Sequence, residues 1–198
     1  MRLRRTLLPL VAGLCAIAAG PAVLAADTAG DGKAQSCLAC HGESGISQTD
    51  KTPSLAGQPD QFLQWQLVFF RSGARKSEVM APITEQLSNE DIRDLAGYFS
   101  SLRPPNAAGK APDDRPDLTA AGKRAVSVGR CTSCHGDNFA GSKAVARIAG
   151  QREDYIVKAL HDYKSGARVG GGVAAMADVA YSLSDADILA LAHFLSRL

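Results

Sequence analysis

Apolar residues recur at helical intervals along much of the chain. Over residues 61–71, Phe62, Trp65, Phe69 and Phe70 mark one side, and the spacing predicts a helix that buries that face. A second helix is predicted over 88–102. Ser88 stands at its start and Asp91 three residues on, a pair that can close a capping box. Ser184 and Asp187 repeat the device near the C-terminus. No convincing strand-like alternation appears, so the fold class is all-α.

The pattern is duplicated. Cys37-Leu38-Ala39-Cys40-His41-Gly42 returns as Cys131-Thr132-Ser133-Cys134-His135-Gly136, an offset of 94. Leu55-Ala56-Gly57-Gln58 returns as Ile148-Ala149-Gly150-Gln151, and Ser72-Gly73-Ala74-Arg75 as Ser165-Gly166-Ala167-Arg168, both at 93. The final helix, Leu87-Ser88 through Leu102, returns at 96 as Leu183-Ser184 through Leu198. The drift of three is assigned to extra residues in the second copy, Gly170 to Gly172. Four ordered blocks at a nearly constant offset define two tandem domains related by internal duplication, at 27–102 and 119–198. Between them, residues 103–118 hold Pro104, Pro105, Pro112 and Pro116, the composition of an extended linker.

Residues 1–25 lie outside this repeat. Arg2, Arg4 and Arg5 precede an apolar run at 7–20, and Val23-Leu24-Ala25 offers small residues for cleavage after Ala25 or Ala26. This is a secretory signal peptide pattern, with a run too short for a comfortable membrane span; the competing reading is a retained anchor. Cys15 lies inside the run and leaves with it. An exported destination, the periplasm, follows.

Removing the signal changes the electrostatics. The whole chain carries 22 Lys+Arg and 20 Asp+Glu; without three arginines the balance is 19 to 20. Nothing suggests nucleic-acid binding. Residues 27–102 hold ten acids and six bases, whereas 119–198 hold seven acids and ten bases. An acidic first domain and a basic second one are expected to orient charged partners.

The paired Cys-x-x-Cys-His motifs carry the chemistry. This spacing is the attachment signature of c-type haem. Positions i, i+3 and i+4 share a helix face, so two thiols and an imidazole reach one side of a porphyrin together. A redox dithiol or a structural zinc site competes for a single such motif. Two copies, placed alike in a repeat and bound for an oxidising compartment, favour haem. Two covalently bound haem c groups are therefore expected, on Cys37 and Cys40 and on Cys131 and Cys134, with His41 and His135 on the irons. Domains of this size are marginal alone, and a covalently held haem supplies a large apolar core object.

The sixth ligand decides what the irons do. Met1 leaves with the signal, and the two remaining methionines, Met80 and Met176, stand at matching places between the Ser-Gly-Ala-Arg block and the last helix. A lone Met is ordinarily core filler. One in each copy, at equivalent positions, favours axial ligation, which raises the reduction potential and suits a carrier with no catalytic site. His161 and His193 have no counterparts in the repeat and read as packed or surface residues, relevant as ligands only if a methionine is misassigned.

Together these blocks resemble the di-haem cytochrome c4 family over the whole mature chain. The resemblance implies two mitochondrial-cytochrome-c-like domains about a pseudo-twofold axis. It also implies a periplasmic carrier between the quinol-oxidising bc complex and a terminal oxidase, compatible with peripheral association with the membrane. The alternative is the cytochrome subunit of a dehydrogenase, such as a sulfide-oxidising flavocytochrome. A di-haem peroxidase would need an open axial site. In this resemblance Pro53 supplies the carbonyl that accepts from the proximal His; the second copy has Ala146 there, without proline's rigid φ, so a looser hold on His135 is expected.

Overall fold

The computed structural model describes residues 29–106, 112–169 and 175–198. The predicted signal peptide at 1–25, Gly170 to Gly172, read as an insertion, and the middle of the predicted linker lie outside the described residues. Nine helices form among the described residues: α1 Ala29–His41, α2 Asp60–Arg71, α3 Met80–Glu85, α4 Asn89–Ser101, α5 Pro116–Val128, α6 Thr132–His135, α7 Glu153–Lys164, α8 Ala175–Ser182 and α9 Asp185–Ser196. Pairing of β type is confined there to two isolated bridges, Arg75 with Arg168 and Ser142 with Val145.

Each half packs its first helix against its last, α1 on α4 and α5 on α9, and sets a middle helix, α2 or α7, beside the last. Glycine makes the first crossing possible. A Cβ on Gly30 would lie 2.6 Å from Asp94 O, and one on Gly122 would lie 2.3 Å from Ala190 O. Such distances are far inside van der Waals contact, so only glycine lets these backbones approach. The cores that result are separate. Ala34, Leu63, Leu95, Ala96 and Phe99 form one; Ala125, Ile156, Leu160, Ile188, Leu191 and Leu195 belong to the other.

Both capping boxes form. Ser88 Oγ accepts from Asp91 N at 3.1 Å while Asp91 Oδ2 accepts from Ser88 N at 2.9 Å; Ser184 and Asp187 do the same at 3.1 and 3.1 Å. Lys33 ties α1 to α4 through Asp91 and Asp94, at 2.7 Å each.

Three expectations are refined. The buried side of α2 is Leu63 and Phe70, with Phe62 and Leu67 partly buried; Trp65 is 45% exposed and stacks on Phe69. Leucines at 63 and 67 complete the i, i+4, i+7 row with Phe70, and the aromatics at 65 and 69 fall to its side. The linker gives up its last residues to α5, because Pro116 sits in the first turn, where its missing N–H costs nothing. The Cys motif lies within one continuous helix in the first half. In the second, Arg130 (φ 52°) interrupts between α5 and α6. A bond from His135 N to Cys131 O, at 3.0 Å, keeps the helical turn that brings thiols and imidazole together.

Candidate functional site

The proximal arrangement is the same in both halves. His41 closes α1 and is buried; its Nδ1 lies 2.8 Å from Pro53 O. His135 closes α6 and is equally buried; its Nδ1 lies 2.8 Å from Ala146 O. A carbonyl only accepts, so Nδ1 carries the proton and Nε2 keeps its lone pair for a metal. Burial holds both imidazoles below the usual histidine pKa, hence neutral and able to ligate. After each histidine a glycine at positive φ, Gly42 (86°) or Gly136 (78°), ends the helix and turns the chain toward the carbonyl-bearing loop.

The two 2.8 Å bonds show no looser hold at Ala146. Other contacts do the work of the proline ring. Ser142 and Val145 exchange backbone bonds of 3.1 and 2.9 Å just before Ala146. In the first half the loop is braced by Ser47, whose Oγ donates to Cys40 O at 2.9 Å and whose N donates to Ser54 Oγ at 3.1 Å.

Cys37 and Cys40 lie in α1 one helical turn apart, and Cys131 and Cys134 repeat that spacing just before His135. Within each motif the first cysteine is half-buried and the second exposed, and burial pushes the Cys37 and Cys131 thiols up. Two sulfurs one helical turn apart, ahead of a histidine on the same face, fit thioether attachment to one porphyrin. Met176, in α8, packs against the same core as Cys131. Met80 opens α3, half-buried, with its N donating to Ser77 Oγ at 3.1 Å and its carbonyl accepting from Thr84 Oγ1 at 2.9 Å. It does not join the core that Cys37 touches. His161 is exposed on α7; His193 is only 1% exposed and its ring nitrogens lie 3.2 Å from Glu153 and 3.0 Å from Asp113. His161 thus lies on the surface and His193 is packed between two carboxylates.

The seam between the halves holds groups whose role the sequence did not reveal. Arg75 and Arg168 form the antiparallel bridge, and both guanidiniums donate to Gln66 Oε1, at 2.6 and 2.9 Å. Arg75 also donates to Tyr155 Oη at 3.1 Å. Burial pushes the Tyr155 hydroxyl up, but the two guanidiniums outweigh it and hold the group at about 8. Arg168 is only 6% exposed, and among the described residues no carboxylate pairs with either arginine. A buried cation without a counter-charge is costly, and Arg168 with the half-buried Arg75 beside it suits an anionic group such as a haem propionate. The residues therefore fit haem on three counts: thiols, neutral imidazoles and a cationic seam.

Comparison with known proteins agrees with the class. The family model for cytochrome c matches residues 119–198, and that for cytochrome c oxidase, cbb3-type, subunit III matches residues 25–99. The chain is thus a tandem pair of cytochrome c domains. It is 35% identical to cytochrome c4 of Azotobacter vinelandii over 184 residues, covering 86% of this chain and 88% of that one. It is 33% identical to the thiosulfate dehydrogenase electron acceptor of Thiomonas intermedia, covering 83% and 79%. Among solved structures, reduced recombinant cytochrome c4 from Pseudomonas stutzeri superposes with a TM-score of 0.77 at 33% identity, covering 86% of this chain and 97% of that one. The chain belongs to the di-haem cytochrome c4 family, and it carries two covalently bound haem c groups.

Proposed function

We propose that the chain is a periplasmic electron carrier whose two haems are bound by Cys37 and Cys40 and by Cys131 and Cys134, with axial pairs His41–Met80 and His135–Met176. It serves redox protein partners, taking electrons from the bc complex and delivering them to a terminal oxidase. The observation that carries this reading is the duplicated site: the same buried, neutral imidazole, 2.8 Å from a backbone carbonyl, follows two cysteines one helical turn apart in each half.

A haem iron with His and Met ligands changes oxidation state without taking up substrate. The protein's contribution is to orient and insulate. Pro53 O and Ala146 O fix each imidazole plane and enrich its donating nitrogen. Arg75 and Arg168 supply positive charge at the seam between the domains. Those two charges hold the Tyr155 hydroxyl at about 8 against the effect of its burial. Residues 1–25 are read as the export signal, with cleavage near Ala25, and no helix among the described residues is long and apolar enough to cross a membrane. Peripheral attachment to the membrane surface is compatible with this reading.

A second reading keeps the carrier and changes its donor to a dehydrogenase. It is favoured by two relatives: the Thiomonas electron acceptor above, and thiosulfate dehydrogenase from Marichromatium purpuratum, at 30% identity and a TM-score of 0.71 over 81% of this chain and 36% of that one. One experiment separates them. Oxidised protein is mixed with membranes from the native host and a quinol, with and without a bc-complex inhibitor. Inhibitor-sensitive reduction supports the first reading. Reduction that requires a soluble extract and an inorganic sulfur donor supports the second.

A further inference from the structure

We infer that each half positions the iron-binding histidine of the other half: Gln151 holds the peptide that orients His41, and Gln58 holds the peptide that orients His135. This rests on the reading of His41 and His135 as iron ligands. The geometry is reciprocal. Gln151 Oε1 accepts from Ser54 N at 2.8 Å and its Nε2 donates to Ser54 O at 2.9 Å. Gln58 Oε1 accepts from Arg147 N at 3.0 Å and its Nε2 donates to Arg147 O at 2.8 Å. Ser54 and Arg147 are 93 residues apart, as are Gln58 and Gln151, so one contact is the image of the other. Both glutamines are buried, and Ser54 with them.

The place of these bonds gives them meaning. Ser54 N belongs to the peptide whose carbonyl, Pro53 O, faces His41 Nδ1 at 2.8 Å. Arg147 N belongs to the peptide whose carbonyl, Ala146 O, faces His135 Nδ1 at 2.8 Å. A peptide is planar and conjugated, so a partner on its N–H fixes the direction of its C=O and polarises it. Each glutamine grips the N–H end of a plane whose other end holds an imidazole across the seam. In amide terms, the side chain completes a two-bond pair like that of opposed residues in an antiparallel ladder, where no strand exists. A glutamine that served only to glue the halves had no need of these two peptides.

A firm Nδ1–H bond makes the imidazole a better donor and favours oxidised iron. Loosening it raises that iron's potential. Gln151 and Gln58 are therefore positioning residues with a crossed effect. The test uses the holo-protein with Q151M and Q58M, which keep side-chain length and remove both bonds, or Q151N and Q58N where the methionine variants fail to fold. Site-resolved redox titration and exchange of the His ring N–H are followed by NMR. In Q151 variants, the first haem rises in potential and the His41 ring proton exchanges faster, while the second haem stays put. In Q58 variants, the second haem and His135 respond and the first does not. Equal shifts of both haems in each variant, a shift confined to the mutated half, or no shift would overturn the proposal. Ligation itself is read separately, from paramagnetic shifts of the His41 and His135 rings in the unmutated oxidised protein. Their absence sinks the ligand reading, whereas their presence without a crossed pattern sinks only this one.

Discussion

Gly122 faces the carbonyl of Ala190 so closely that a methyl group in place of its hydrogen would sit 2.3 Å from that oxygen and 2.5 Å from Phe194 Cβ. The crossing of α5 and α9 therefore depends on one missing side chain. G122A is expected to destabilise the second half by about 1–3 kcal/mol, the usual cost of overpacking, with the backbone contact favouring the upper end. Gly30 has the same relation to Asp94 and Tyr98, so G30A should act on the first half. Thermal unfolding followed at each haem separates the two; a variant that melts like the parent would show that the helices can part without cost.

The capping boxes offer a milder perturbation. Ser184→Ala removes the acceptor for Asp187 N and the partner of its carboxylate. It should cost about 1 kcal/mol. Ser88→Ala should cost a similar amount in the first half, and denaturant unfolding with an unchanged slope is the readout.

Acid should act late and then steeply. The Asp91 carboxyl is held below its ordinary value of 3.8 by the Lys33 and Ser88 bonds, Asp113 by the Thr119 hydroxyl and then by His193, and Asp187 by Ser184. A carboxyl depressed by folding contributes stability that is fully present above its unfolded pKa and is lost as pH falls through the folded one. Stability is thus expected to be insensitive to these groups from neutrality down to about pH 4, and to fall below it. Melting temperatures across that range check the sign: loss that begins well above the carboxylate range would point to other groups.

The charge asymmetry predicts an order of potentials. Positive surroundings favour the reduced iron, and the second domain carries the basic excess. The haem on Cys131 and Cys134 should have the higher potential, so electrons enter at the first domain and settle on the second. Site-resolved redox titration in the reverse order would refute this.

Much of the architecture was legible because the chain states it twice. The Cys-x-x-Cys-His repeat marked the buried, carbonyl-bonded His41 and His135, and the Ser-x-x-Asp pairs marked both capping boxes. What escaped has a physical cause in each instance. Trp65 reads as core by spacing and hydrophobicity, but Leu63 and Leu67 fill the face beside Phe70. The short helix α3 has no capping signal; the hydroxyl of Ser77 bonds Met80 N from outside it. The repeated Gln58 and Gln151 were visible as part of a block, yet a side-chain amide carries no mark of whether it pairs within its own half or across the seam. Arg75 and Arg168 were likewise visible as repeats, but their meeting at one glutamine, Gln66, is a product of the packing between the halves.

The proposed carrier role depends on sulfur from Met80 and Met176 closing the two irons. Carbon monoxide titration of the reduced protein tests it directly, alongside M80A, M176A and the double variant. The unmutated protein should bind none, each single variant one equivalent per chain, and the double variant two. Uptake by the unmutated protein, or an M80A or M176A variant that binds none, would contradict the assignment.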